Sequence, residues 1–308
     1  MNILNEMIED KNLVWDKSLN NQIEKFQVNL DTKSINELIE NRENLTNSSI
    51  DDYPCLKNEI MVLKTNYLTN GYGFLIINGI CFKDFKKEEM TEVFRIISAG
   101  FGKLIIQNIK KEKLVVITNE GKSMKTGGRY HQTNEGGSYH TDSPQWEKVP
   151  DFVGLFCLNP AKKGGTSKYV SAYTLHNEIL KSNVKILQDL YTNFHFDKRG
   201  EFDEGESPTT FKPIFEFMNN KLKFRYLRNY IDAGQKLMNL PLSTEQNFIL
   251  DKIDEIIHDD NFSVSYDLKQ FDMTFFNNHR TIHGRTGFED YEETEMRRLM
   301  IRSWIRDQ

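Results

Sequence analysis

The chain has few cysteines, and nothing in their spacing would pair them. Its 308 residues contain Cys55, Cys81 and Cys157, and no C-x-x-C motif occurs. An odd number of widely separated cysteines argues against a disulfide framework and against a thiolate zinc site. We therefore expect reduced thiols, as in a cytoplasmic protein.

Long apolar runs and strongly basic stretches are also missing. No stretch approaches the roughly 20 apolar residues that a membrane helix needs. Acidic residues interrupt the apolar residues of segment 1–17, where a signal peptide would have an unbroken core. The formal net charge is -5, which gives no electrostatic footprint for nucleic acid. We expect a cytoplasmic protein with neither a membrane nor a nucleic acid as its partner.

The composition indicates a folded protein with a sizeable core. Apolar residues make up 38% of the chain and charged residues 28%, values typical of globular domains rather than disordered ones. No repeat, low-complexity tract or Pro/Gly linker divides the sequence. We expect a single domain over residues 1–308, with residues 1–55 as a polar N-terminal extension packed on or near it.

The hydrophobic pattern predicts a mainly β protein with flanking helices. Helical spacing occurs in 56–68, after Asp84, in 172–191 and in 243–258. Strand-like runs occur at 74–77, 114–118, 152–158, 211–217, 222–227, 262–266, 271–276 and 299–304. Residues 41–52 are expected to form a loop, and Asn219-Asn220 a hairpin turn. These elements predict helices outside a β-sandwich or barrel.

The histidines suggest a metal site of two histidines and one carboxylate, which is the usual iron(II) oxygenase centre. Its first two ligands often form a His-x-Asp/Glu motif, because residues i and i+2 of an extended segment share a face. This motif occurs three times in the chain, at His140-Thr-Asp142, His176-Asn-Glu178 and His258-Asp-Asp260. The motif alone therefore does not identify the metal ligands.

Local geometry favours the first of the three motifs. His176 lies in a predicted helix, where residues i and i+2 point about 200° apart and cannot chelate one ion. His258 ends another predicted helix, where a histidine interacts with the helix dipole. His140 lies in extended sequence beside the predicted strand 152–158. The third ligand is His283 or His279, and spacing favours His283 only slightly.

The chain resembles the taurine dioxygenase / clavaminate synthase-like family. The resemblance rests on the runs 277–285 and 297–304, together with His140-Thr-Asp142 and the following Gly164-Gly165-Thr166-Ser167. It extends from about Gly71 to the C-terminus. It implies a double-stranded β-helix, or jelly roll, that binds Fe(2+), 2-oxoglutarate as cosubstrate and O2.

The resemblance also implies roles for individual residues. It makes His283 the distal metal ligand, and it places Arg298 and Ser167 on the distal carboxylate of 2-oxoglutarate. Arg302 takes the place of the family's second arginine, which contacts substrate or cosubstrate. Strand periodicity agrees, because Arg298, Met300 and Arg302 would share one face. Related halogenases have a small residue where this chain has Asp142, so a carboxylate argues against halogenation.

Residues near the ligands are candidates for substrate contact. They are Tyr139, Gln145, Gln132, Asn134 and Arg228, together with Arg302. Each of the first five also has a structural interpretation, as a core, turn or surface ion-pair residue. Arginines beyond the cosubstrate anchor suit a substrate that carries a carboxylate.

The expected function is that of an iron(II)/2-oxoglutarate-dependent oxygenase with no catalytic residue beyond the metal centre. It would hydroxylate, desaturate or cyclise a small carboxylate-bearing metabolite such as an amino acid, free or carrier-tethered, possibly in secondary metabolism. One alternative is a metal-dependent cupin-type enzyme that uses no 2-oxoglutarate. Another is a non-catalytic jelly-roll binding protein. The oligomeric state stays open.

Overall fold

The computed structural model describes residues 2–124 and 128–307 and shows a mainly β protein with flanking helices. The α-helices of these residues are α1 (Thr32–Glu40), α2 (Pro54–Leu63), α3 (Lys87–Phe101), α4 (Ala172–Ser182), α5 (Val184–Asp189), α6 (Arg228–Leu237) and α7 (Thr244–His258). The strands are β1 (Gln27–Asn29), β2 (Phe74–Asn78), β3 (Lys103–Leu104), β4 (Leu114–Ile117), β5 (Phe152–Asn159), β6 (Lys163–Gly164), β7 (Ser167–Ser171), β8 (Asn193–Asp197), β9 (Thr209–Pro213), β10 (Phe215–Met218), β11 (Lys221–Phe224), β12 (Ser263–Tyr266), β13 (Met273–Asn277), β14 (Thr281–Arg285), β15 (Phe288–Glu289) and β16 (Leu299–Arg306). Within the described chain, we find no helix whose length and hydropathy would let it cross a membrane.

Two β-sheets enclose the core that lies beneath the site. The larger sheet has the order β1-β2-β13-β5-β16-β3, and β4 also pairs with β16. Its β1-β2 pair is parallel, whereas β13, β5 and β16 are joined antiparallel. The smaller sheet has the antiparallel order β12-β7-β14. The ring of Phe74 in the larger sheet stacks on that of Tyr169 in the smaller one at 4.7 Å. This is the two-sheet arrangement of the predicted jelly roll.

Strand β2 shows why the larger sheet is apolar on both faces. Phe74 and Ile76 point into the core between the sheets, while Leu75 and Ile77 pack in the cluster formed with helices α2 and α3. Side chains alternate between the faces of a strand, so a strand that is covered on both sides reads as a continuous apolar run. That continuous run is what the sequence shows at 74–77.

The N-terminal residues contact both the sheet and the core. Strand β1 pairs with β2 in the larger sheet. The indole of Trp15 donates a 2.9 Å hydrogen bond to the backbone oxygen of Tyr72, and Phe26 is fully buried against Phe74. The segment also contains helix α1, which the sequence did not predict because the segment is polar.

Helices α4 and α7 cover the outside of the smaller sheet. Leu175 of α4 and Ile253 of α7 are fully buried in one cluster with Ile282 of β14. The strand β14 is therefore held between this helical layer and the core of the jelly roll. Because β14 also contains His283, its packing fixes the position of a candidate metal ligand.

Two predicted elements are each split in the structure. The helix predicted over 172–191 is interrupted at Asn183, which is extended and whose side chain accepts from the backbone N–H of Lys185 to begin α5. The strand predicted over 211–217 is divided at Ile214, whose N–H donates to the carbonyl of Leu190. Its halves pair with different partners, β9 with β8 and β10 with β11. Hydrophobic periodicity does not detect breaks that depend on tertiary hydrogen bonds.

Other local predictions also differ from the structure. The predicted loop 41–52 contains short 3-10 helices at 42–47 and 50–52, and a reciprocal cap between Ser49 and Asp52 begins the second one. Arg228, expected just after a strand, is the first residue of helix α6. The hairpin at Asn219-Asn220 is confirmed: both residues have positive φ and join β10 to β11.

Candidate metal centre

The centre is built on a backbone pairing between two segments that are distant in sequence. The N–H of His140 donates to the carbonyl of His283, and the N–H of His283 donates to the carbonyl of His140, both at 2.9 Å. Residues paired in this way direct their side chains to the same face of the sheet. The two imidazole rings accordingly lie with their centroids 4.4 Å apart.

Asp142 completes a group of three, as the extended His-x-Asp segment predicts. Its Oδ1 lies 3.4 Å from Nε2 of His140 and 3.8 Å from Nε2 of His283. Within the residues that the structure describes, these three form the group of His, Cys, Asp and Glu side chains whose ligand atoms all lie within 4.8 Å of one another. Asn278 fixes the backbone of Asp142, since its side chain accepts from the aspartate N–H and donates to its carbonyl.

The protonation states of the three side chains suit a divalent cation. Nδ1 of His140 lies 2.8 Å from the carbonyl of Ser138, which can only accept, so the neutral ring that binds a metal has its proton on Nδ1 and offers Nε2 as the ligand atom. Burial lowers the pKa of His283 to about 3. Burial would raise the pKa of Asp142, but the positive charge of Arg302 holds this pKa well below its usual value. Two neutral imidazoles and a carboxylate are the donor set that iron(II) requires.

The second oxygen of Asp142 is held from the other side. Nε1 of Trp304 lies 2.6 Å from Oδ2, and Nη1 of Arg302 lies 3.5 Å from the same atom. Both groups come from strand β16. Partners of this kind orient a ligating carboxylate toward the metal.

Both residues predicted to bind the cosubstrate line a cavity beside the three candidate ligands. Ser167 faces it from β7, and Arg298 faces it from the position just before β16. Arg298 is 7% exposed, and within the described residues its Nη1 has no hydrogen-bond partner. Burial lowers the pKa of Arg298 to about 10, so the guanidinium stays charged at neutral pH. A buried cation with an unpartnered N–H facing a cavity suits a dicarboxylate such as 2-oxoglutarate.

The alternation predicted for β16 is present. Arg298, Met300 and Arg302 all line this cavity. Leu299 and Ile301 point the other way, into the cluster with helices α2 and α3. The segment 298–302 therefore places one arginine in this cavity and a second, Arg302, where it also lines the neighbouring chamber.

A second chamber adjoins His140 and Asp142 on the side away from Ser167. Its wall includes Arg302, Gln145 and Tyr230. At its rim, Nη2 of Arg129 lies 2.6 Å from Oε1 of Glu201. This ion pair joins the segment before His140 to the loop between β8 and β9. The chamber lies next to the metal ligands and has several polar side chains in its wall, which makes it the candidate substrate pocket.

Arg228 does not face the chamber, which corrects its predicted role in substrate binding. Its guanidinium forms ion pairs with Asp232, Asp251 and Asp254, at distances of 3.1, 2.7 and 3.1 Å. These acids lie on α6 and α7. The side chain therefore joins two helices, which is the surface ion pair that the sequence also allowed.

Three other predicted substrate residues also lie outside the chamber wall. Tyr139 packs in the core beneath the helices, its ring 4.7 Å from that of His258. The amide of Gln132 donates to Glu120, and Asn134 is exposed and donates to a backbone carbonyl. All three have protein partners that account for them. The Gly-rich segment before His140 instead contributes Arg129 and Tyr130 to the chamber wall. No sequence motif predicted either residue.

The remaining histidine candidates are engaged elsewhere. Nε2 of His279 pairs with Asp151 at 2.7 Å, away from the metal cluster. His258 ends α7 as expected, with Nδ1 on the carbonyl of Asp254 in its own last turn. His176 is fully buried in α4. The near tie between His279 and His283 is thus resolved by which of the two occupies strand β14.

Comparison with known proteins identifies the family. A family model described as "Taurine catabolism dioxygenase TauD, TfdA family" matches residues 43–304. The chain belongs to this family. It is 30% identical to FR-33289 synthase of Streptomyces rubellomurinus over 243 residues, which are 77% of this chain and 70% of that protein. It is 22% identical to the taurine hydroxylase-like protein SAT17 of Stachybotrys chartarum, over 75% of this chain and 60% of that protein.

Solved structures with the same fold belong to non-haem iron oxygenases. Asparagine oxygenase in complex with Fe(II), 2S,3S-3-hydroxyasparagine and succinate superposes with a TM-score of 0.71 at 13% identity, covering 91% of this chain and 93% of that one. OrfP in complex with Fe and alpha-ketoglutaric acid gives 0.68 at 14% identity, covering 92% and 94%. This TauD-family chain is a 2-oxoglutarate-dependent dioxygenase that uses iron, as predicted, rather than a cupin-type enzyme without 2-oxoglutarate.

Proposed function

We propose that this dioxygenase hydroxylates a small metabolite that carries a carboxylate, most simply a free amino acid, in secondary metabolism. The position of Arg302 is the observation that carries the proposal. Its Nε donates to Gln107 at 2.8 Å, which fixes the guanidinium in the chamber beside the metal ligands. A planar, fixed cation binds a carboxylate in bidentate fashion and would hold a small substrate close to the metal.

The proposal assigns the metal to His140, Asp142 and His283, and the distal carboxylate of 2-oxoglutarate to Arg298 and Ser167. When bound, iron and 2-oxoglutarate would supply the oxidising chemistry with O2 as the oxidant, which yields succinate, carbon dioxide and an oxidised substrate. The protein residues position the reactants and exclude water. The carboxylate of Asp142 occupies a position that halogenases leave vacant, which favours hydroxylation.

The relatives support the substrate class. The asparagine oxygenase structure contains 3-hydroxyasparagine, and OrfP structures contain L-Arg and (3S)-hydroxy-L-Arg. FR-33289 synthase is a related biosynthetic enzyme from a Streptomyces. The charged rim formed by Arg129 and Glu201 suits a substrate with groups of both signs, as an amino acid has.

The decisive experiment is a screen for substrate-stimulated succinate formation. Amino acids and related metabolites would be incubated with the enzyme, iron(II), 2-oxoglutarate and oxygen, and products followed by mass spectrometry. Hydroxylation gives a product one oxygen atom heavier, whereas desaturation or ring closure gives one that is two hydrogens lighter. No stimulation by any carboxylate-bearing compound would contradict the substrate class.

The metal assignment is tested separately, without oxygen or substrate. Iron(II) and 2-oxoglutarate together should give a weak visible charge-transfer band. We expect His283→Ala to abolish the band and His279→Ala, its matched control, to keep it. A band that survives His283→Ala, or that is absent from the parent protein, would contradict the assignment.

We also propose a cytoplasmic location. Cys55 and Cys81 are exposed and Cys157 is buried, all three as free thiols. Exposed free thiols are typical of a reducing compartment. Fractionation of the source cells with detection of the native protein would test this location.

A further inference from the structure

The amide of Gln145 is a buried polar group that no protein partner explains. The residue is 6% exposed and lines the chamber beside Asp142. Within the described residues, its Oε1 has no hydrogen-bond partner. Buried side-chain oxygens are nearly always hydrogen-bonded, so an exception calls for a specific explanation.

The backbone around Gln145 is, by contrast, firmly held. The guanidinium of Arg225 donates to the carbonyls of Pro144 and Trp146, on either side, both at 3.0 Å. The carbonyl of Gln145 itself accepts from the hydroxyl of Thr210 on β9. The fold therefore fixes the position from which this side chain extends, while leaving its amide oxygen unpartnered.

The turn that leads from the metal ligand to Gln145 is also specific. Ser143 has a φ of +52°, a conformation that non-glycine residues rarely adopt, and its carbonyl accepts from the N–H of Trp146. This left-handed turn directly follows Asp142. It places the glutamine side chain in the wall of the same chamber that contains the ligand.

Gln107 provides an internal comparison in the same wall. It is 3% exposed, and its Nε2 donates to the carbonyls of Lys113 and Arg302 while its Oε1 accepts from Nε of Arg302. Both ends of this amide are satisfied by protein atoms. Two buried glutamines thus line one chamber, and one of them is structural.

We propose that Gln145 is a specificity-determining residue whose amide oxygen accepts a hydrogen bond from an N–H or O–H group of the substrate. The proposal rests on the proposed function and adds a requirement to it: beside the carboxylate held by Arg302, the substrate presents a donor such as an ammonium group. A donor that reaches Oε1 completes the hydrogen bonding of the chamber wall. An analogue without the donor would leave the amide unpartnered, which selects strongly against it.

The test compares Gln145→Leu with Gln107→Leu. Removing an unpartnered amide should stabilise the protein without ligand, so we expect Gln145→Leu to raise Tm by about 1–3 °C. Gln107→Leu should lower Tm, because it removes three hydrogen bonds. With the compound that stimulates the parent enzyme, Gln145→Leu should lower stimulated succinate formation by about 10- to 100-fold.

Gln145→Glu keeps the accepting oxygen and should retain more stimulated turnover than Gln145→Leu. A fall in Tm for Gln145→Leu comparable to that of Gln107→Leu would overturn the proposal, because the amide would then be structural. Unchanged stimulated turnover in Gln145→Leu would overturn it as well. If no compound stimulates the parent enzyme, the substrate class fails, and the comparison of Tm values still decides the role of Gln145.

Discussion

The indole Nε1 of Trp304 donates a 2.6 Å hydrogen bond to Oδ2 of Asp142, the carboxylate oxygen that faces away from the two histidines. The bond fixes the rotation of the carboxylate, so that Oδ1 points toward the two histidines. Trp304 lies on β16, the strand that contains Arg302 and that Arg298 immediately precedes. The segment that we propose to bind the organic reactants therefore also supplies the hydrogen bond that orients Asp142.

The first prediction concerns this bond. Trp304→Phe keeps the aromatic packing but leaves Oδ2 without its donor, so we expect iron(II) affinity to fall about 10- to 100-fold. Anaerobic competition with a chelator would measure the change. Trp146→Phe is the control, because the ring of Trp146 lies edge-on to that of Trp304 at 5.0 Å and makes no bond to the carboxylate. Equal affinities for the two variants would contradict the prediction.

The second prediction separates two adjacent arginines. Arg298→Gln removes the buried guanidinium that we assign to 2-oxoglutarate, so the KM for 2-oxoglutarate should rise about 100-fold. Arg297→Gln should leave it unchanged, because Arg297 is exposed and donates to the carbonyls of Tyr291 and Glu292. Initial rates of succinate formation at varied 2-oxoglutarate give both values. A similar KM in both variants would remove Arg298 from the cosubstrate site.

A third prediction contrasts Arg228 with Arg302. Arg228→Gln breaks ion pairs between α6 and α7 and should lower the free energy of unfolding by about 1 kcal/mol, without changing substrate-stimulated turnover. Arg302→Gln should lower stimulated turnover by at least about 10-fold. Urea unfolding and succinate assays on both variants would check this. Loss of turnover in Arg228→Gln would restore its predicted role in substrate binding.

The fourth prediction concerns the rim of the chamber. The ion pair between Arg129 and Glu201 links the segment before His140 to the loop between β8 and β9. We expect Arg129→Gln to loosen that loop and to speed trypsin cleavage after Lys198 and Arg199 severalfold. Glu201→Gln breaks the same ion pair without adding a trypsin site, so it should speed cleavage to a similar extent. Mass spectrometry of timed digests would locate the cuts, and unchanged rates would show that the pair does not hold the loop.

Local geometry allowed part of the site to be predicted from sequence. The period of a helix excluded His176-Asn-Glu178 without any structural information, and the alternation of a strand placed Arg298 and Arg302 on one face. Both arguments depend only on neighbours in the chain. The family and its jelly roll were predicted from a few short motifs that occur in the family's order along the chain.

Contacts between distant segments could not be predicted in this way. The pairing of His140 with His283 depends on β14. The apolar pattern did not predict this strand, because polar and charged residues outnumber its apolar ones. Arg228 and Tyr139 have the residue types of a binding site, yet acids on α7 and the ring of His258 account for them. Nothing in the sequence marked Glu201 as part of the site, because it is a single acidic residue in a polar loop. Only the fold brings it next to Arg129.

The reciprocal backbone bonds between His140 and His283 also bear on how the enzyme matures. During synthesis, the segment with His140 and Asp142 emerges well before β14 exists, so the early chain offers only two of the three ligands. The third ligand of the proposed site joins them only when β14 pairs with that segment. Tight iron binding at this site would therefore require the pairing, and the bound ion would stabilise the folded protein.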